Sequence, residues 1–179
     1  MRRRFKNLLL ELWLVERFIR LHIRWSSAIH ARLPLVGRPL SAILDRCLLF
    51  FYGIDLVSPS VRVRTLSIAH PDGVLLGGNG LRSPGRVAIM AGVKFVGRSP
   101  RDPEYLSRHA EGRVFDFGDN VVIGANSVVV GPVDICDNVI VGAMSLVNRS
   151  ITEPGVYVGA PVRKVSDQVN DDWVSHLQA

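Results

Sequence analysis

The stretch Val121–Val147, VVIGANSVVVGPVDICDNVIVGAMSLV, decides the fold. It holds too many branched apolar residues for a loop and too many glycines for a helix. Its alternation is too irregular for an ordinary half-buried strand. A six-residue period organises it instead. Phe117, Ile123, Val129, Ile135, Val141 and Val147 are aliphatic or aromatic and fall at strict six-residue steps. Four places further on in each step stand Val121, Ser127, Val133, Val139, Ser145 and Ile151, all small or β-branched. The position after each lead residue is mostly small: Gly118, Gly124, Val130, Cys136, Gly142 and Asn148. This is the hexapeptide repeat of a parallel β-helix, in which each hexad is a short strand plus a corner. The lead side chain points into the prism, and hydrogen bonds run from coil to coil. A β-sandwich would place turns at irregular intervals of about eight to twelve residues, and the spacing here is regular.

The chain of 179 residues suits one domain with an appendage. Its two cysteines, Cys47 and Cys136, lie far apart, so neither a metal pair nor a disulfide framework is indicated. The opening MRRRFKNLLLELWLVERFIR is basic and then apolar, but Glu11, Glu16 and Arg17 interrupt the apolar run and no small-residue cleavage site follows. No run approaches the roughly eighteen apolar residues of a membrane span, with CLLFFYGI the nearest. A cytoplasmic location is expected.

The net charge of +6 is uneven, with ten Arg or Lys in residues 1–50 against Glu11, Glu16 and Asp45. Such a surface attracts nucleic acid, anionic lipid or a phosphorylated partner. No nucleic-acid motif accompanies it, so nucleic acid is not the expected partner. From Phe5 to about Ile29, Leu8, Leu9, Leu12, Trp13, Phe18, Leu21 and Trp25 recur at helical spacing. RLPLVGRP (32–39) reads as a connection, and Leu40–Tyr52 as a second helix. Two readings of the first helix stand together. It caps the open end of the solenoid, or it lies as an amphipathic anchor on an anionic membrane at the inner membrane surface. The expected division is a helical appendage over 1–52, a β-helix domain over 53–165 and a helical tail over 166–179. The first segment of the β-helix, GIDLVSPSVRVRTLSIAHPDGVLLGGNG, keeps the six-residue step at Leu56, Ile68 and Val74, with Arg62 the off-pattern lead.

In this segment the chain resembles the serine acetyltransferase family. IDLVSPSVRVRTLSIAHPDG (54–73) fits that family's isoleucine–aspartate entry, followed by a histidine-containing hexad and a glycine. RHAEG (108–112), FGDNVVIGANSVVVG (117–131) and GVYVGAPVRKV (155–165) resemble its later blocks. The resemblance implies a left-handed β-helix, a homotrimer and O-acetyl transfer from acetyl-CoA. It casts His70 as the general base and Asp55 as the carboxylate that orients its ring. A neutral imidazole suits removal of a hydroxyl proton at neutral pH, and the acceptor supplies its own nucleophile. The resemblance further implies acceptor binding by Arg108 and His109. It places coenzyme A against Gly97, Ala125 and Ala143, with Arg163 and Lys164 within reach of its phosphates. The coenzyme serves as acyl donor, and no metal site is expected. Zinc would need three convergent histidines, and the repeat region offers His70 and His109. A non-catalytic β-helix scaffold is the reading from another class.

Three departures concern the acceptor. Ala69 stands where the family has an aspartate that holds the amino group of serine. About fifty residues replace the long N-terminal domain, and the segment before His109 and RVFD (113–116) are insertions. These changes resemble the shorter relatives in polysaccharide gene clusters, so a sugar acceptor is expected, with L-serine as the alternative.

Overall fold

The computed structural model describes residues 15–169. Its strands wind as the coils of a three-faced prism. One face stacks β1 (Asp55–Leu56), β3 (Leu75–Gly77), β5 (Lys94–Gly97), β8 (Val128–Gly131) and β11 (Leu146–Val147), all parallel. A second carries β7 (Val121–Ile123), β10 (Val139–Val141) and β12 (Gly155–Val158). The third carries β6 (Phe115–Phe117) and β9 (Val133–Ile135), with a bridge from Ile135 to Ile151. β2 (Val61–Ala69) and β4 (Leu81–Met90) are long enough to bend over both of these faces. β4 pairs β6 at Leu81 and Arg82, then β7 from Val87 to Ile89. β13 (Arg163–Ser166) folds back antiparallel on β12 and ends the stack.

The six-residue period is the period of burial. None of Phe117, Ile123, Val129, Ile135, Val141 and Val147 is more than 2 % exposed. Their companions Val121, Ser127, Val133, Val139, Ser145 and Ile151 are buried as well. Each hexad therefore sends two side chains inward, with one outward residue between them. Phe95, Phe115 and Phe117 fill the middle of the prism, Phe95 meeting Phe115 edge-on at 5.0 Å between centroids.

Upstream, the repeat slips. Arg62 faces outward, in register with Arg82, because the step from Val63 to Thr65 in β2 opposes the longer step from Ser83 to Arg86 in β4, which puts Val63 rather than Arg62 against the core. Val74 is buried, but a longer corner before it moves the lead position to Leu76. The segment between Gly97 and Val114 is not a loop. It holds α3 (Pro103–Ala110), started by Asp102, whose Oδ1 accepts from Glu104 N at 3.0 Å, and by Pro103 in the first turn.

Two helices close the first coil, α1 (Val15–Arg32) and α2 (Gly37–Tyr52). The part of the expected first helix before Val15, and the expected helical tail from residue 170, lie outside the described residues. α2 begins three residues earlier than its apolar pattern suggests. A Cβ at Gly37 would collide with the Ile29 carbonyl, so glycine lets α2 start directly against α1. Ile19, Ile23 and Leu48 join the prism core, which is the capping role of a solenoid end. Among the described residues no helix is long and apolar enough to cross a membrane.

The cap is fastened by a buried carboxylate. Asp45, 7 % exposed, accepts from Ser26 Oγ at 2.9 Å, Ser58 N at 2.8 Å and Ser58 Oγ at 2.5 Å. His22 Nε2 lies 3.2 Å away. One side chain thus ties α1, α2 and the 3₁₀ turn Ser58–Ser60 together. Burial alone would raise its pKa, but the hydrogen bonds from His22, Ser58 and Ser26 more than offset this and leave it lowered.

Asp45→Ala leaves those donors buried and unmatched, so a loss of about 2–4 kcal/mol is expected in denaturant unfolding. Because the folded pKa is depressed, this contribution is present above the unfolded carboxylate pKa of about 3.9 and lost as pH falls through the folded value. The stability gap between wild type and Asp45→Ala should therefore close in acid, below about pH 4. A gap that stays constant from pH 7 to pH 3 would exclude this role.

Candidate active site

The longer corner is where His70 stands. From Met90 to Lys94, and from Gly124 to Val128, the chain turns the same corner in four steps. From Ala69 to Leu75 it takes six, since Ala69 is in register with Met90 and Leu75 with Lys94. The surplus is His70 and Pro71. Beyond them the corner resumes its hydrogen bonding, with Gly92 N donating to Asp72 O at 2.7 Å. Asn126 N donates to Ala91 O and Met144 N to Ala125 O, each at 2.8 Å, which aligns Ala91, Ala125 and Ala143 in one column. His70 is pushed out of the wall at the foot of this column of small residues. It is exposed, and its backbone is left-handed, with φ +52°.

Asp55 opens the same coil. Its backbone N donates to Val74 O at 2.9 Å, four residues beyond His70, so the fold lays the two segments side by side. No hydrogen bond joins the Asp55 carboxylate to the His70 ring. Asp55 lines a cavity of about 220 Å³ between α2 and β1, together with His30, Arg38, Ser41 and Arg46. Sequence reasoning did not single out these cap residues, because nothing local to α2 indicates that it faces β1. Lys94 was missed as well. Its Nζ donates to Gly73 O at 3.1 Å and to Gly92 O at 3.4 Å, bracing the corner beside His70 from the neighbouring face. Its only signal is an exposed lysine in an otherwise apolar strand.

The remaining candidates divide by surroundings. Ala125 and Ala143 stack one coil apart, and Ala143 is exposed. Gly97 begins the insertion, and a Cβ there would meet Tyr105 Cε2 at 2.6 Å, so its lack of a side chain leaves room for α3. Arg108 binds Asp134 at 2.5 and 2.6 Å and lies 3.7 Å from Glu104, which commits most of its guanidinium to holding α3 on β9. His109 is exposed and packs beside Tyr105 at 5.6 Å between ring centroids. Arg163 is exposed on β13. Lys164 pairs with Asp167 at 2.6 Å and Glu153 at 3.3 Å, and the Asp167 hydrogen bond is the main cause of its raised pKa. Among the described residues no three His, Cys, Asp or Glu side chains converge as a metal site would require.

A left-handed histidine is held in a conformation that L-residues avoid, at a cost of order 1 kcal/mol. Asparagine tolerates that conformation better. His70→Asn should therefore match or exceed wild-type stability, by up to about 1 kcal/mol in thermal or denaturant unfolding. Marked destabilisation would mean that His70 is a structural residue.

Residues 117–149 match the bacterial transferase hexapeptide (six repeats) family. Among curated proteins, none matches the chain. Among solved structures it is similar to soybean serine acetyltransferase complexed with serine, at 25% identity and TM-score 0.63, over 81% of this chain and 56% of that one. Serine acetyltransferase of Neisseria gonorrhoeae gives 25% identity and TM-score 0.64, over 86% and 57%. Serine acetyltransferase of Brucella abortus strain S19 in complex with coenzyme A gives 18% identity and TM-score 0.69, over 86% and 57%. The chain spans little more than half the length of each of these proteins. By repeat and by fold it is a left-handed parallel β-helix of the hexapeptide-repeat kind, similar to the serine acetyltransferases.

Proposed function

We propose that this chain is an acetyl-CoA-dependent O-acetyltransferase whose acceptor is a hydroxyl of a cell-surface polysaccharide sugar. The observation that carries the reading is the corner at His70. An exposed imidazole, pushed out by two surplus residues, stands at the foot of a column of small side chains. In the proposed reaction the acceptor hydroxyl attacks the thioester carbonyl of acetyl-CoA as His70 removes its proton. The tetrahedral intermediate then collapses, the carbon–sulfur bond breaks, and the proton passes to the departing thiol. Coenzyme A lies along the column of Ala91, Ala125 and Ala143, where the absence of bulk lets its pantetheine arm approach the backbone. Asp55 serves as orienter of the His70 ring, a role supported by the motif resemblance. Arg108, His109, Gly97, Arg163 and Lys164 belong to this proposal as acceptor and donor contacts, supported by the motif resemblance. Three chains associate as a trimer, with 1–52, 53–165 and 166–179 as appendage, catalytic domain and tail.

Serine O-acetyl transfer is the second reading, favoured by the similarity to a serine-bound soybean enzyme. Ala69 weighs against it. It is 3 % exposed, so the position next to the proposed base is apolar and closed, with no carboxylate to meet an ammonium group.

His70→Ala should lower kcat by about 10²- to 10⁴-fold while leaving coenzyme A affinity nearly unchanged. Asp55→Asn should cost less and leave the assembly intact. Acetyl transfer, followed by thiol release, should be brisk with a glycan panel and poor with L-serine, with a high KM. Ordinary kcat and KM on L-serine would restore the second reading. Full turnover by His70→Ala with a competent acceptor would overturn the mechanism.

A further inference from the structure

The cap carries a second surface, unrelated to the His70 corner. Nine of the fourteen large apolar side chains exposed among the described residues fall between Trp25 and Phe51. They are concentrated on α2. Ser41, Asp45 and Leu48 turn inward, while Val36 just before the helix and Leu40, Ile43, Cys47, Phe50 and Phe51 on it turn outward. At 3.6 residues per turn these outward positions span an arc of about 100°. Phe50 is 83% exposed and Phe51 72%, and with their neighbours on the arc they form an apolar patch of the kind that marks an interaction site. Before α2, Leu35 at 90% continues the patch into the connection. The amphipathic character expected of the first helix is thus present on the second as well; in α1 itself Ile19 and Ile23 join the prism core while Trp25 stays exposed.

The charge around this face identifies its occupant. From Arg17 to Gly53 the sequence has six arginines and one carboxylate, Asp45, which is buried. Arg24, Arg32, Arg38 and Arg46 are exposed. Arg46 borders the apolar arc on α2. Arg24 and Arg32 flank the exposed Trp25 in a shallow cleft of about 430 Å³, floored by Ala28, Ile29 and Leu33. A second copy laid face to face on this surface would bring these arginines against one another, with no exposed carboxylate between Arg17 and Gly53 to pair them. A surface of anionic headgroups over acyl chains supplies both missing partners. Phe50, Phe51 and Trp25 are residue types suited to the interface between the two.

We propose that the outward face of α2, with its arginine border, seats the protein on an anionic lipid surface. The full chain should float with vesicles of phosphatidylcholine containing about one-third phosphatidylglycerol, less so as salt is raised, and should ignore pure phosphatidylcholine. Ile43→Glu with Phe50→Glu should weaken flotation at least tenfold. Arg24→Gln and Arg46→Gln should each weaken it about fivefold. All four sites are exposed, so circular dichroism should show wild-type melting. Absence of binding to the anionic vesicles, or binding indifferent to the double glutamate variant, would overturn the proposal. A wild type that ignores vesicles but loses molecular mass in light scattering on the double substitution would assign the face to a second copy instead. None of these readouts depends on acetyl transfer, so the two proposals fail separately.

Discussion

In a parallel β-helix each coil hydrogen-bonds to the coil before it, residue by residue. Strand positions are therefore in fixed register, and surplus residues can be housed only at corners or as excursions from them. The molecule uses both outlets. The segment from Arg98 to Arg113 leaves the wall as an excursion containing α3, and β6 then rejoins β4 in parallel register. His70 and Pro71 leave it as a two-residue corner extension, after which Leu75 rejoins Lys94. The repeat thus supplies the rigid element, and the exceptions to the repeat supply the side chains able to act.

The same constraint separates what the sequence reveals from what it hides. Between Phe117 and Ile151 the period is unbroken, each lead residue is buried, and the fold was legible from the spacing alone. Upstream, counting by sixes lands on Arg62, which faces solvent, and on Val74, which is buried but not in the lead position. β2 runs one residue short opposite β4, and this and the extended corner shift the count; neither changes composition enough to be seen. The corner shows in the sequence as a histidine that interrupts an apolar repeat, and its geometry does not show there. α3 was hidden for another reason. Asp102, Pro103 and Glu104 are a helix start, but the segment is short, and the repeat on either side dominates the reading. In the sequence Arg108 and His109 stand as an adjacent pair. On a helix, adjacent residues diverge by about 100°, so one guanidinium meets Asp134 while the neighbouring ring packs on Tyr105.

The cap follows a different logic. A prism of stacked coils ends in an apolar opening, which Ile19, Ile23 and Leu48 cover. An apolar seal alone would allow the helices to slide, because such contacts are tolerant of direction. The buried Asp45 removes that freedom, since hydrogen bonds to Ser26 and Ser58 are satisfied in only one arrangement of α1, α2 and the first coil. Asp55 follows that coil's entry directly, and Arg38 and Arg46 of α2 share its cavity. The placement of the cap and the surroundings of Asp55 are consequently one structural problem.

On the proposed reaction, the two substrates meet parts of the chain with unequal freedom to change. The donor column of Ala91, Ala125 and Ala143 is fixed by coil stacking, and a larger side chain there would fill the groove. The acceptor side is assembled from α3, the extended corner and the cap, none of which the repeat dictates. Ala69 belongs to that side. It is buried at the end of β2, opposite Met90. An aspartate introduced there would enter an apolar site, with its ionised form penalised unless an ammonium or another donor reached it. Restoring serine recognition would therefore take more than one substitution. The surrounding segments would have to open the position as well as accept its charge, which is the physical ground for proposing an acceptor without a positive charge.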